Sequence, residues 1–387
     1  MRFLIFFCLC LLSLTDTTLL AQSPCPADPG CAMTSGRSLC MPGKEPLIIT
    51  PGFQYGFIIA HHSDMLYLTQ GHIQVAEVCV ARPTHGHHYW DQIFNYPEAG
   101  IAFSVFDLGN PQNLGNLYSI SPYFDFPFNR SVHSRICFRV GTGLSYLTKP
   151  FDPVTNYKDI AIGSHLNGFV NLRFTWKQEF CKNFRSDIGI SFSHCSNGAF
   201  KTPNLGLNMP ALYAGLAYMI RPCPERIHHD TLPACDHSRF FSIGVGTAIS
   251  QISPPGGHYF PAGILTGTIS KFWNSKNLWS VGVEIFYNEA NYQEIHRNDS
   301  TVTRKQYIQP AVKIGYALCV GRFSMPLEMG VYLYDHVNGE TVPMYTHLGL
   351  RYQINHRLLA GVMLKTYFAR AEFFEWGITY RFLRSKC

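Results

Sequence analysis

Charge is scarce in this chain. Acidic and basic residues make up 14% of its 387 residues, against roughly 25% in soluble domains, too few to clothe an ordinary water-facing surface. Long apolar runs are scarce too. After the first twenty positions none approaches the roughly 20 residues that a spanning helix needs, which excludes the helical membrane class. No Cys-x-x-Cys pair occurs, so a cysteine-bound zinc site is not expected. Phosphate loops, dinucleotide fingerprints and nucleic-acid modules are absent, so nucleic acid is not an expected partner. The formal net charge of +6 comes without a basic block; it suits contact with anionic headgroups without demanding it.

What the chain does have is aromatic residues, 14%, and apolar residues, 46%, spread thinly. An antiparallel transmembrane β-barrel reconciles low charge with short apolar runs, because its lipid-facing residues occupy every second strand position. Strand-like segments recur at about 50–61, 70–81, 100–108, 117–126, 135–147, 163–176, 186–196, 208–220, 239–251, 262–273, 278–290, 305–318, 323–335, 342–353, 357–368 and 374–382. That is an all-β chain of about 12–16 strands, with no useful helix-period stretch. The last segment shows the alternation well: Phe374, Trp376, Ile378, Tyr380 and Phe382 oppose Glu375, Gly377, Thr379 and Arg381. An arginine facing away from an aromatic-rich row implies a wet lumen and a greasy exterior. In 164–176 the same parity puts His165 on the lumen side with Asn167 and Arg173. Short turns and long links alternate as barrels prefer, except for the long link 221–238, which falls on the short-turn side.

Residues 1–21 read as a secretory signal, with Arg2, the apolar run Phe3 to Leu14, and a cut after Ala21. A Cys/Pro-rich leader, 22–45, then precedes a barrel over 46–383. Cys25, Cys31 and Cys40 cluster in the leader, and Cys223 and Cys235 bracket the 221–238 link. An oxidising compartment would permit bridges at both places.

The chemistry concentrates in 187–198. On a strand there, Ile188, Ile190 and Phe192 share a face with His194 and Ser196, while Gly189, Ser191, Ser193 and Cys195 share the other. His194 and Ser196 then project the same way with Cβ atoms roughly 6 to 7 Å apart, close enough for a hydroxyl to meet an imidazole. Asn197 and Gly198 form a turn-like pair whose N–H groups, with the amide of Asn204, can face a developing oxyanion. Asn208 has the parity to lie beside His194 on the next strand. On spacing alone, a strand end decorated with polar groups explains this pair as well as catalysis does.

The motif His194-Cys195-Ser196-Asn197-Gly198, followed by Pro203-Asn204-Leu205-Gly206-Leu207-Asn208, resembles the signature of the lipid A 3-O-deacylases (PagL-like, acyloxyacyl hydrolase family). These are outer-membrane barrels that remove an ester-linked acyl chain from lipopolysaccharide. Segments 141–151 and 162–167 are similar to parts of the larger members. The resemblance implies His194 as base, Ser196 as nucleophile and Asn204 as oxyanion donor. Where short members place a glutamate to orient the histidine, this chain has Asn208. An amide can fix the imidazole tautomer but not stabilise its charge, as in Cys-His-Asn enzymes. The chain is also about twice the length of the eight-stranded short members, so a wider barrel is expected.

The resulting expectation is an outer-membrane serine esterase acting on outer-leaflet lipid A, without metal or cofactor. The alternative is a channel or structural barrel that retains the motif. The pairs His61-His62 and His228-His229 and the run His85-Gly86-His87-His88 read as loop histidines, and Glu289 as a headgroup-facing residue distant from the site.

Overall fold

The computed structural model describes residues 46–382 except 130, 132, 221–231, 233–234, 253–254, 256, 298, 336–343 and 368–369. The signal, the leader and the Cys223 end of its loop lie outside the described residues. Sixteen antiparallel strands follow in order: β1 (Ile48–Gly56), β2 (Ile73–Pro83), β3 (Glu98–Asp107), β4 (Asn116–Pro127), β5 (Ser134–Leu147), β6 (Leu166–Cys181), β7 (Phe184–Ser196), β8 (Leu207–Met219), β9 (Arg239–Gln251), β10 (Tyr259–Phe272), β11 (Asn277–Asn288), β12 (Ile308–Val320), β13 (Phe323–Tyr332), β14 (Met344–Gln353), β15 (Leu358–Tyr367) and β16 (Arg370–Phe382). Each overlaps one segment expected from the sequence.

The closure differs from the wide cylinder expected. β1 to β8 close into one barrel and β9 to β16 into a second. The first is sealed by β1 on β8, with Ile48 opposite Met219, and the second by β16 on β9, with Phe382 opposite Phe241. The link 221–238, anomalous in the sequence, joins β8 to β9. Alternation reports which face of a strand is greasy; it does not report which strand pairs with which, so the width was not legible.

Eight strands enclose a space that side chains can fill, and here charged ones fill it. In the first barrel Glu77 accepts both arms of the Arg173 guanidinium at 2.8 Å, and Asp125 accepts Arg139 Nε at 2.9 Å and Lys177 Nζ at 2.8 Å. Glu98 accepts Lys177 and Arg185 at 2.6 Å each, and Arg185 also reaches Asp187 at 2.7 Å. All eight residues are buried. Charges taken out of water are tolerable only when paired like this. The Arg139 and Arg173 guanidinium groups also lie 3.5 Å and 3.7 Å from the ring centres of Tyr123 and Tyr213. In the first barrel, then, the interior is a packed ionic core and not the wet lumen expected of a wide cylinder. In the second barrel Lys313 bridges Glu284 and Glu328 at 2.6 Å each, and Arg351 reaches Glu328 at 2.8 Å.

The outward rows are apolar. Phe53, Val78, Phe103, Ile120, Leu144, Ile188 and Leu212 are exposed on the first barrel, and Val245, Leu265, Val281, Ile314, Val362 and Ile378 on the second. No helix among the described residues is long and apolar enough to cross a membrane. Short α-helices occur at Tyr89–Ile93 and Glu289–His296, both in connections. Glu289 thus opens a helix, bonded to Arg304 and Gln293, instead of extending a strand row.

Candidate active site

Strand β7 carries the site because its pleat sends odd and even positions to opposite sides. Ser191, Ser193 and Cys195 turn inward and are buried, whereas Ile188 and Ile190 stand more than half exposed. Phe192 and His194 are partly covered, and Ser196, which ends the strand, is 5% exposed. The histidine and the serine therefore belong to the outward row, and a loop roofs its upper end.

That loop is residues 203–206, and its own pins explain its position. Asn204 pairs with Ile162 in an antiparallel bridge, and Gly206 N–H donates to Ala161 O at 2.9 Å. Ala161, Ile162, Cys195 and Leu207, all fully buried, form part of an apolar cluster at this end of the barrel. Gly206 has φ of +80°, and a Cβ there would stand 3.0 Å from His194 Cε1 and 3.4 Å from Ser196 Cβ. The two side chains thus converge on one point, and the absence of a side chain at 206 leaves that point open.

Strand β8 supplies the third residue. Asn208 is the register partner of His194, and its Oδ1 lies 2.7 Å from His194 Nδ1. The other ring nitrogen, Nε2, has no protein partner among the described residues, nor has Ser196 Oγ. A base and a nucleophile are commonly slack until substrate draws them together.

The oxyanion candidates separate. Asn197 N–H is already engaged, donating to Asn204 Oδ1 at 2.9 Å, which withdraws it as a donor to substrate. The Asn197 side chain donates to Ser164 Oγ at 2.8 Å, and Ser164 donates to Asn167 Oδ1 at 2.8 Å. Gly198 has φ of +61°, the left-handed region in which glycine is unstrained.

His165 is not on the lumen side. It precedes β6, is exposed, and stacks on Tyr146 with ring centres 5.2 Å apart. Parity counted from 164 fails because the strand begins at Leu166. Two site neighbours had no signal in the motif spacing: Ser164, and His61, which meets Asn208 from the segment after β1.

Fold and site together define a β-barrel protein with a serine and a histidine at the outward end of a strand. Two family models match the chain: "Lipid A 3-O-deacylase (PagL)" over residues 78–217 and "Acyloxyacyl hydrolase, C-terminal domain" over residues 239–385. The chain belongs to this lipid A deacylase family, one matched stretch falling on each barrel. No curated protein matches it. Similar solved structures include a triple mutant of the Rhodopseudomonas blastica porin, at 8% identity over 87% of this chain and all of that one, TM-score 0.20. A TodX monoaromatic hydrocarbon channel mutant is 7% identical over 87% and 90% of the two chains, TM-score 0.19. The ferric enterobactin receptor PfeA is 8% identical over 84% and 54%, TM-score 0.23. At such scores these likenesses carry no argument.

Proposed function

We propose that this protein is an outer-membrane serine esterase that hydrolyses an ester-linked acyl chain of lipid A. The observation that carries the reading is the 2.7 Å contact between Asn208 Oδ1 and His194 Nδ1. An amide oxygen only accepts, so the proton sits on Nδ1 and Nε2 keeps a lone pair for the serine. In the reaction, Ser196 Oγ attacks the ester carbonyl while its proton passes to His194 Nε2. Asn204 Nδ2, together with Gly198 N–H two residues beyond the nucleophile, donates to the oxyanion. Collapse breaks the bond to the sugar oxygen, which leaves with the proton from His194. Water, deprotonated by the same nitrogen, then releases the fatty acid and restores Ser196. The acyl chain of a membrane lipid would lie along the row Ile188, Ile190 and Leu212, so the substrate need not leave the bilayer.

The channel reading has less support, because buried ion pairs fill the first barrel. Lipid A from cells with and without this protein, compared by mass spectrometry, tests the proposal. Loss of one acyl chain only when the protein is present is the expected result; identical lipid A profiles under conditions of verified expression contradict it.

A further inference from the structure

We infer that His61 is a positioning residue for this reaction, holding the Asn208 amide in the one orientation that leaves His194 able to act as a base. The inference rests on the esterase reading above. His61 Nε2 lies 3.0 Å from Leu205 O, and His61 Nδ1 lies 3.2 Å from Asn208 Nδ2. A backbone carbonyl cannot donate, so Nε2 bears the proton of the neutral ring and Nδ1 is left as an acceptor. Ile59 O also stands 3.4 Å from Nδ1, at the limit of hydrogen-bond reach. The acceptor nitrogen takes the NH2 end of Asn208, and the amide oxygen is thereby aimed at His194 Nδ1, 2.7 Å away. Four polar groups in sequence, Leu205 O, His61, Asn208 and His194, transmit one hydrogen-bond polarity to the base.

The chemistry makes such a device necessary here. A carboxylate accepts hydrogen bonds at both oxygens, so an acidic third member cannot present the wrong end. An amide can. Reversed, Asn208 would donate to Nδ1, moving the His194 proton to Nε2 and removing the lone pair that must take the serine proton. In the serine protease case, an Asn in place of the triad Asp forces that wrong tautomer and costs about four decades in kcat. His61 removes this ambiguity through a group that touches neither substrate nor nucleophile.

The test uses the full chain, purified and refolded, with lipopolysaccharide as substrate, comparing the parent with His61→Ala, His61→Gln, Asn208→Asp and the His61→Ala/Asn208→Asp double variant. His61→Ala is expected to lower kcat by about tenfold or more with KM unchanged, because part of the population carries the reversed amide. His61→Gln is expected to recover much of that loss, since its Oε1 accepts from the amide. In the Asn208→Asp background the His61→Ala effect is expected to vanish. An unchanged kcat for His61→Ala, or an equal loss in both backgrounds, overturns the inference. Histidine 15N spectra read the tautomer without turnover: His194 is expected to be protonated at Nδ1 in the parent and mixed in His61→Ala. Identical spectra also overturn it. Ser196→Ala, run alongside, separates the two claims: full activity there sinks the esterase reading itself, not only the role of His61.

Discussion

Asn204 Oδ1 accepts the backbone N–H of Asn197 at 2.9 Å, which binds the roofing loop to the residue directly after Ser196. The bond commits the Asn204 oxygen to the protein, and under the proposed mechanism the nitrogen is the end that serves the substrate. Asn204→Asp keeps the acceptor and deletes the donor. Its kcat is expected to fall by about 100- to 1,000-fold, the usual effect of losing one oxyanion donor, with KM little changed. Steady-state kinetics on lipopolysaccharide checks it.

Gly206 occupies a backbone conformation that other residues adopt at a cost of about 1–2 kcal/mol, and a methyl there would meet His194 Cε1 at 3.0 Å. Gly206→Ala is therefore expected to displace the imidazole by a few tenths of an ångström. Activity should drop at least about tenfold, since small misplacements of catalytic groups are costly, while the heat-modifiable barrel band on gels remains. Parental activity in this variant would mean that the ring does not work from the position seen.

Asp159 sits in the loop 148–165 that pins residues 203–206, fully buried, with Oδ1 accepting Ala161 N–H at 2.9 Å and Oδ2 unpartnered. Burial raises its carboxyl from the ordinary 3.8 to about 7, although the Ala161 and Ile162 N–H groups oppose the shift. Between those two values the folded form holds a proton that the unfolded form has lost, so stability falls as pH rises from about 4 to about 7. Asp159→Asn is expected to abolish that slope and to melt higher than the parent at pH 8, with little difference at pH 4. Thermal melts of the refolded protein across pH decide it; parallel parent and variant curves would contradict the protonated assignment.

Glu77 holds Arg173 through two bonds inside the first barrel. Glu77→Ala would strand a buried guanidinium without its carboxylate, which costs roughly 3–5 kcal/mol. Urea-induced unfolding in detergent is expected to show a midpoint lowered accordingly. Planar-bilayer recordings of the parent are expected to show no steady conductance through the first barrel.

The strands were legible because each keeps period-two alternation; all sixteen segments proposed from the sequence correspond to strands. The placement of His194 and Asn208 followed from parity and register, both local properties. The closure did not, because Ile48 meets Met219 through a pairing that spans most of the first barrel's sequence and leaves no periodic trace. The bond made by the Asn197 N–H was not legible for a related reason: a turn N–H looks free until the folded loop brings Asn204 back to it. His61 stood out only as half of a loop histidine pair, since nothing but the closure of β1 on β8 brings its segment beside Asn208.

The most direct measurement is covalent. Incubating the protein with an acyl-chain fluorophosphonate, which traps an activated serine, and mapping the adduct by peptide mass spectrometry should place one phosphonate on Ser196, with His194→Ala preventing the reaction. An unmodified Ser196 in protein that still releases fatty acid, or labelling that survives the loss of His194, would contradict the account.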